Sequence, residues 1–476
     1  MKLQTLRKML DTKEISAVEL TQDYIAKIKS TDKLINSYIT VCEEEALLSA
    51  KKAQSIIDSN NSAALTGIPI SVKDNICTKG IKTTCASRML KDFVPFYNAA
   101  VIDKVLSQNA VILGKTNMDE FAMGSSSQTS YFGGVKNPHD TSKIPGGSSG
   151  GAAASVASEL CSVALGSDTG GSIIQPSAFC GVTGLKPTYG TVSRFGLIAF
   201  ASSLEQIGVI ANSAADAAYM LDCIYGQDTK DSTTSPLARG NYLAKINSDI
   251  KGTKIGLPKE FYDVSPEVKN AVLQGAKYFE NLGCEIIECS LPSLEYAVAA
   301  YYLISSAEAS SNLSRFDGIK YGYKANVNDS LNSLISYSRS EGFGKEVKRR
   351  IMLGNYALSS GYYDEYYKKA SKIRMCIKAE YDEIFKSCDV ILTPSAPTAA
   401  YDIDSKNSSV TKMYSDDICT VPPNLAGLPV ITTTCGYDEN MPIGMSLVGK
   451  AFDEQTIIAL CDRFEQDFKR QEVYVR

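Results

Sequence analysis

The sequence of 476 residues contains a single histidine, His139. A metal site with two or more histidine ligands is therefore excluded, and a Ser-His-Asp triad could form only through His139. This histidine follows an Asn-Pro pair, which is typical of a turn, so we expect it in a surface loop. If a serine is activated in this protein, its base is expected to be another residue type.

The sequence also lacks long apolar runs, a strong charge of either sign and paired cysteines. No apolar stretch approaches the length that crosses a bilayer, and the N-terminus has no signal-peptide core. A formal net charge of −4 is unlike that of a dedicated nucleic-acid-binding protein. The 13 cysteines are scattered without a CxxC pair, which indicates reduced thiols. We therefore expect a cytoplasmic protein that does not bind a membrane.

Apolar periodicity predicts strands and helices that alternate along most of the chain. Residues 1–60 are predicted to be helical, with Ser16 as an N-cap, and a mainly helical section is predicted at about 294–388. The alternation favours an α/β protein with parallel or mixed strands. No repeat or boundary divides the core, so we predict an N-terminal helical segment, 1–60, followed by one domain over 61–476.

The strongest chemical signal comes from two glycine-flanked serine clusters, GGSSGG at 146–151 and DTGGS at 168–172. Glycine permits sharp turns and close approach, so these serines present hydroxyls on a constrained backbone with free N–H groups nearby. That arrangement suits a nucleophile beside an oxyanion hole. A flexible Gly/Ser linker fits poorly, because an alanine-rich helical pattern separates the clusters. A Walker phosphate loop is not matched, since no Lys-Ser/Thr pair follows the last glycine.

Lys73 is the candidate base, because it follows an apolar strand pattern and is expected near the end of that strand. A desolvated lysine has a lowered pKa and can accept a proton, although most lysines in such places are simply solvated. Ser148 and Ser172 could then form a relay in which Lys73 takes a proton from Ser148 and Ser148 takes one from Ser172. A helix that begins after Ser172 would favour the developing negative charge.

With these motifs, the chain resembles the amidase signature family. The matching segments extend from about residue 67 to about residue 450 and read GIPISVKDNI, GKTNMDEFAMGSS, PGGSSGGAAA, LGSDTGGSI, GLKPTYGTVSRFGLIAFASSLEQIG and NLAGLPVIT. The resemblance implies a single large mixed β-sheet covered by helices on both faces. The domain over 61–476 is accordingly expected to be an amidase signature domain.

The resemblance also implies roles for the residues already singled out. Lys73 matches the catalytic lysine, Ser148 the bridging serine after a cis peptide bond, and Ser172 the nucleophile that forms an acyl-enzyme. The implied oxyanion hole consists of the backbone N–H groups of Thr169, Gly170, Gly171 and Ser172. One position departs from the family pattern, because Ile174 stands where an arginine is usual. Loss of that arginine could loosen the site.

Within the family, the chain is most similar to the ammonia-generating subunits of tRNA-dependent amidotransferases, which hydrolyse glutamine. Free glutamine carries an α-carboxylate and an α-ammonium, so its pocket should offer one cation and one anion, and arginine is the natural carboxylate clamp. The resemblance places the substrate-binding residues at Tyr301, Arg350 and Asp417, with Tyr302, Arg349 and Asp416 as one-residue alternatives. Ordinary ion pairs are the competing interpretation of the charged positions.

The same resemblance implies a function and partners. We expect glutamine hydrolysis by a Ser-Ser-Lys triad, with ammonia passing to a B-type subunit that binds tRNA and ATP and converts Glu-tRNA(Gln) to Gln-tRNA(Gln). A small C-type subunit is also expected. ATP and Mg are expected to bind to a partner subunit, and tRNA is expected to be bound mainly by that partner. No cofactor or metal is expected on this chain. The alternatives are a stand-alone amidase for other small amides and a catalytically silent subunit, the latter raised by Ile174.

Overall fold

The computed structural model describes residues 2–238, 240–327, 329–403, 405, 414, 416–468 and 470–471. Eleven strands of these residues form one mixed sheet, in the order β1-β3-β2-β4-β6-β5-β10-β11-β9-β7-β8. The strands are β1 (Tyr38–Val41), β2 (Pro69–Lys73), β3 (Val111–Thr116), β4 (Val163–Asp168), β5 (Thr183–Lys186), β6 (Gln206–Ala211), β7 (Lys254–Pro258), β8 (Glu285–Cys289), β9 (Val390–Pro394), β10 (Val430–Asp438) and β11 (Met441–Gly449).

Fourteen α-helices accompany the sheet in the described part of the chain. They are α1 (Leu3–Asp11), α2 (Ala17–Ile35), α3 (Glu43–Asp58), α4 (Ala100–Ser107), α5 (Gly150–Ala157), α6 (Ile174–Phe179), α7 (Ala214–Ile224), α8 (Pro266–Asn281), α9 (Leu294–Asn312), α10 (Leu331–Gly342), α11 (Lys345–Leu358), α12 (Lys369–Ile384), α13 (Val421–Leu425) and α14 (Glu454–Asp467). Successive residues of a strand point to opposite faces, yet every residue of β4 and β11 is buried. Both faces of the central sheet are therefore covered, and the predicted fold class is confirmed.

The N-terminal segment differs in one respect from the helical prediction for residues 1–60. Its helices α1, α2 and α3 are present, and the Ser16 Oγ accepts the Glu19 N–H in a capping box. Between α2 and α3, however, β1 pairs antiparallel with β3 and adds a strand to the sheet edge. This strand is four residues long, too short for its period-2 pattern to stand out beside two longer helices.

The mainly helical section predicted at about 294–388 contains helices α9 to α12. Helix α9 packs against both α11 and α12, and α9 and α11 carry candidate substrate residues. Among the described residues, no helix is both long and apolar enough to cross a membrane. All 13 cysteines are free thiols, as their scattered spacing predicts, and most of them are buried, where a thiol packs as a small apolar side chain.

Candidate active site

Three segments of the chain meet at the carboxyl ends of the interior strands β2 and β4 and bring the candidate triad together. Lys73 is the last residue of β2, which lies parallel to β4, so the loop after β4 starts beside it. Ser148 precedes α5, and the peptide bond between Gly147 and Ser148 is cis. The Ser149 N–H donates to the Ser172 carbonyl at 3.1 Å, which places the two serine segments in direct contact.

The Lys73 amine is fully buried and surrounded by three oxygens. Its Nζ lies 2.8 Å from Ser148 Oγ, 2.7 Å from Ser149 Oγ and 3.1 Å from the Ser167 carbonyl. Burial lowers the pKa of Lys73 to about 7, against the opposing charge of Asp168. A substantial fraction of this amine is therefore neutral at neutral pH and able to accept a proton.

The hydrogen bonds of Ser149 determine where the lone pair of that amine points. Ser149 Oγ–H donates to the Ser167 carbonyl at 3.0 Å, so its oxygen is left to accept from Lys73. A neutral amine has two N–H groups and one lone pair, and Ser149 Oγ and the Ser167 carbonyl accept the two N–H groups. The lone pair then faces Ser148 Oγ. Ser149 directly follows Ser148 in the first Gly-Ser cluster, but that motif alone predicts no role for it.

The loop after β4 differs at one position from the implied oxyanion hole. The buried Asp168 carboxylate accepts the Gly171 N–H at 2.8 Å and the Ile173 N–H at 2.6 Å. The Gly171 N–H is therefore engaged and is not a free donor. The N–H groups of this loop that donate to no acceptor among the described residues are those of Thr169, Gly170 and Ser172. An aspartate directly before a Thr-Gly-Gly turn was the sequence signal for this local hydrogen bonding.

Ile174 is the first residue of α6 and is buried, so an apolar side chain is well accommodated at the position where the family usually has arginine. The adjacent loop is held through Asp168, whose carboxylate accepts the Gly171 and Ile173 N–H groups. These bonds hold the loop without a charged side chain at position 174.

A small cavity lies beside Ser172. Its lining residues are Ala122, Gly124, Gly147, Gly170, Gly171, Ser172, Phe200, Tyr301, Tyr302, Arg350 and Asp417. The three predicted substrate residues Tyr301, Arg350 and Asp417 thus surround one cavity together with the predicted nucleophile. Tyr302 also lines it, whereas Arg349 and Asp416 do not.

Arg350 offers a positive charge to the cavity. Its side chain is 3% exposed, and its Nε donates to Glu346 Oε1 at 2.7 Å. The guanidinium carbon lies 4.3 Å from the centre of the Tyr302 ring. Its two terminal nitrogens donate to no acceptor in the described part of the chain, so both are available to a carboxylate. Arg349 pairs with the other oxygen of Glu346 and is 35% exposed.

Asp417 provides the opposite charge. The Tyr302 hydroxyl donates to Asp417 Oδ2 at 2.6 Å. Burial raises the pKa of Asp417 to about 7, although the Tyr302 hydrogen bond and the Arg350 charge oppose this shift. The neighbouring Asp416 instead accepts from Tyr401 at 3.0 Å.

Tyr301 lies against the loop that carries the free N–H groups. A Cβ atom on Gly170 would lie 2.6 Å from the Tyr301 hydroxyl oxygen, so only glycine allows the ring to approach this closely. Tyr301 therefore forms the wall of the cavity next to the candidate oxyanion hole.

His139 lies in a loop, as predicted, with exposed Asp140 beside it. Its ring is half-buried, because it packs against Gly181, and its Nε2 lies 3.1 Å from the Cys180 carbonyl. Burial lowers the pKa of His139. Among the described residues, no hydrogen bond joins the His139 ring to Ser148 or Ser172, in agreement with the inference that the base is not histidine.

The site predicts a rise in amide hydrolysis with pH. Below about pH 7 Lys73 holds a proton and cannot accept another, so kcat/KM should fall about tenfold per pH unit on the acid side. Protonation of Asp417 in the same range should weaken binding of an ammonium-bearing substrate further. Initial rates measured from about pH 5.5 to about pH 9 test this expectation. A flat profile, or a rise only near the ordinary pKa of lysine, would contradict it.

Known proteins resemble this chain over nearly its whole length. The Amidase family model matches residues 19–458. The glutamyl-tRNA(Gln) amidotransferase A subunit of Ruminiclostridium cellulolyticum is 53% identical, with 97% of this chain and 96% of that protein covered. The crystal structure of the subunit of that name from Thermotoga maritima has a TM-score of 0.81 at 37% identity and covers 97% of this chain and 95% of its own. The structure of a peptide amidase from Stenotrophomonas maltophilia has a TM-score of 0.85 at 27% identity and covers 100% of this chain and 98% of its own. The chain belongs to the amidase family.

Proposed function

We propose that this chain is the glutamine-hydrolysing subunit of a glutamyl-tRNA(Gln) amidotransferase. The observation that carries the proposal is the pair of opposite charges beside Ser172. Arg350 presents two unused guanidinium nitrogens, and Asp417 presents a carboxylate, in the same cavity. These groups match the α-carboxylate and the α-ammonium of free glutamine. The relatives that exceed 50% identity over nearly their full length carry that subunit's name.

In the first half of the reaction, Ser172 Oγ attacks the side-chain amide carbon of glutamine. Its proton passes to Ser148 Oγ as the Ser148 proton moves to the lone pair of Lys73 Nζ. The carbonyl oxygen becomes an oxyanion, which the free N–H groups of the loop at 169–172 stabilise. The protonated lysine then returns its proton through Ser148 to the leaving nitrogen, and ammonia departs.

In the second half, the γ-glutamyl ester on Ser172 reacts with water. Lys73, neutral again, accepts a proton from that water through Ser148, and the resulting tetrahedral intermediate expels Ser172 Oγ, which is reprotonated. The products are glutamate and the free enzyme. The same three side chains thus act in both halves, and no group of the site is consumed.

The ammonia has its use on another protein of the assembly. We propose a B-type partner that binds ATP, Mg and tRNA and amidates Glu-tRNA(Gln), with a small C-type subunit in the same complex. The chain's net charge of −4 supports placing the main tRNA contact on the partner. Among the described residues, no group of three or more His, Cys, Asp or Glu side chains could hold a metal ion.

Replacing Arg350 tests the substrate. Arg350→Met should raise KM for glutamine by ~10- to 150-fold, the value of a charge-assisted hydrogen bond, with a much smaller effect on neutral primary amides. The measurement is ammonia release by the chain alone and with its partner subunits. A glutamine rate that falls no more than the neutral-amide rate would favour the stand-alone amidase instead.

Arg349→Met is the matched control for that experiment. Arg349 is the adjacent residue of α11 and pairs with the same Glu346, but it does not line the cavity. We expect this variant to keep glutamine KM within ~3-fold of the wild type, because Glu346 keeps its ion pair with Arg350 and Arg349 does not line the cavity. Equal losses in the two variants would indicate that α11 is disturbed as a whole and that Arg350 has no special role.

A further inference from the structure

Thr420 bridges two parts of the site that are far apart in sequence. Its hydroxyl donates to the Gly170 carbonyl at 2.6 Å, across 250 residues of chain. The side chain is 3% exposed and does not line the cavity, so it does not touch a bound substrate. A Cβ on Gly171 would lie 2.2 Å from Thr420 Oγ1, so the threonine packs directly on the loop that follows β4.

The peptide unit between Gly170 and Gly171 is held at both of its polar ends. Thr420 takes the carbonyl oxygen, and Asp168 takes the Gly171 N–H at 2.8 Å. The carbonyl and N–H of a trans peptide point in opposite directions, so two such bonds prevent rotation of the peptide plane. The N–H groups on either side of this plane, those of Gly170 and Ser172, donate to no acceptor among the described residues. Their relative direction therefore depends on how firmly the plane is held.

We propose that Thr420 is a positioning residue that holds the Gly170–Gly171 peptide so that the Gly170 and Ser172 N–H groups converge on the oxyanion. This inference rests on the proposed amide hydrolysis at Ser172. It extends that proposal by assigning the Gly171 N–H to support of the loop and a threonine of another segment to its alignment. Oxyanion donors act only when their direction is set before charge develops, because reorienting them during reaction removes most of their benefit.

Thr420 also belongs to the turn that carries Asp417. The Thr420 N–H donates to the Asp417 carbonyl at 3.1 Å, and Thr420 is the N-cap residue of α13. Helix α13 in turn packs against α9, which carries Tyr301. The residue expected to hold the substrate ammonium and the loop expected to hold the oxyanion are thus joined through one residue, Thr420.

The test compares Thr420→Val with Thr420→Ser in the full chain, assembled with its partners if the wild type needs them. Valine keeps the shape and removes the hydroxyl, and serine keeps the hydroxyl. Thr420→Val should lower kcat by ~10- to 100-fold with KM within ~3-fold, because a displaced donor affects the transition state and not substrate binding. Thr420→Ser should restore kcat to within ~3-fold of the wild type. Thermal unfolding of both variants checks that the fold is retained.

Three results would overturn the proposal: a Thr420→Val kcat within ~3-fold of wild type, a Thr420→Ser kcat as low as that of the valine variant, or a change confined to KM. The assay uses whichever amide the wild type hydrolyses. If that amide is not glutamine, the proposed substrate fails, and the comparison of the two Thr420 variants still decides whether the hydroxyl aligns the oxyanion hole.

Discussion

Ser172→Ala is expected to lower the rate of ammonia release by at least ~10⁴-fold, because no acyl-enzyme can form without the Ser172 hydroxyl. Ser172 lines the cavity, and its hydroxyl has no structural partner among the described residues, so its removal should leave the fold intact. The measurement is ammonia release from glutamine, together with thermal unfolding. Mass spectrometry of a quenched reaction should show a γ-glutamyl adduct on the wild type and none on the variant.

Ser177→Ala provides the matched control. Ser177 is a buried serine on α6, five positions after Ser172, and its hydroxyl makes no hydrogen bond in the described structure. Removing that hydroxyl leaves no partner unsatisfied, so the rate should stay within ~3-fold of the wild type. Substantial activity in Ser172→Ala would remove Ser172 from the role of nucleophile.

Lys73→Met should lower kcat/KM by at least ~10³-fold, because it removes the lone pair that accepts the Ser148 proton and keeps a side chain of similar length. The residual kcat should no longer show the acid-side dependence near pH 7, since the titrating base is gone, whereas KM should keep the dependence that Asp417 causes. A rate profile of this variant, measured beside that of the wild type, tests both statements. Retention of the same pH dependence would show that another group is the base.

The effect of Lys73→Met on stability should run opposite to its effect on activity. The folded-state pKa of Lys73, about 7, lies below the ordinary value, so the unfolded chain binds the lysine proton more tightly than the folded chain does. This destabilisation is absent above the ordinary lysine pKa, grows as pH falls, and is fully present below about pH 7. At neutral pH, the methionine variant should unfold at a temperature equal to or above that of the wild type. Lys79→Met, at an exposed lysine shortly after β2, should change neither property.

The residues of the candidate site that lie within short sequence motifs could be predicted from the sequence. The two Gly-Ser clusters and Lys73 suggested a serine nucleophile with a lysine base, and the family resemblance added Tyr301, Arg350 and Asp417. The structure places Ser172, Tyr301, Arg350 and Asp417 around one cavity and joins Lys73 to Ser148 by a hydrogen bond. The choice between Arg350 and Arg349 needed the fold, because adjacent positions of a helix point in directions about 100° apart and only one can enter the cavity.

The local sequence by itself determined most strands, most helices and the chemical types of the reacting groups, because periodicity and glycine placement act over a few residues. Only the tertiary structure decided the properties of the site that depend on contacts between distant segments of the chain. Burial lowers the Lys73 pKa, and Ser149 and the Ser167 carbonyl direct its lone pair. The bond from Thr420 to Gly170 joins two segments separated by 250 residues. Such long-range contacts depend on packing and desolvation, which no local sequence pattern encodes.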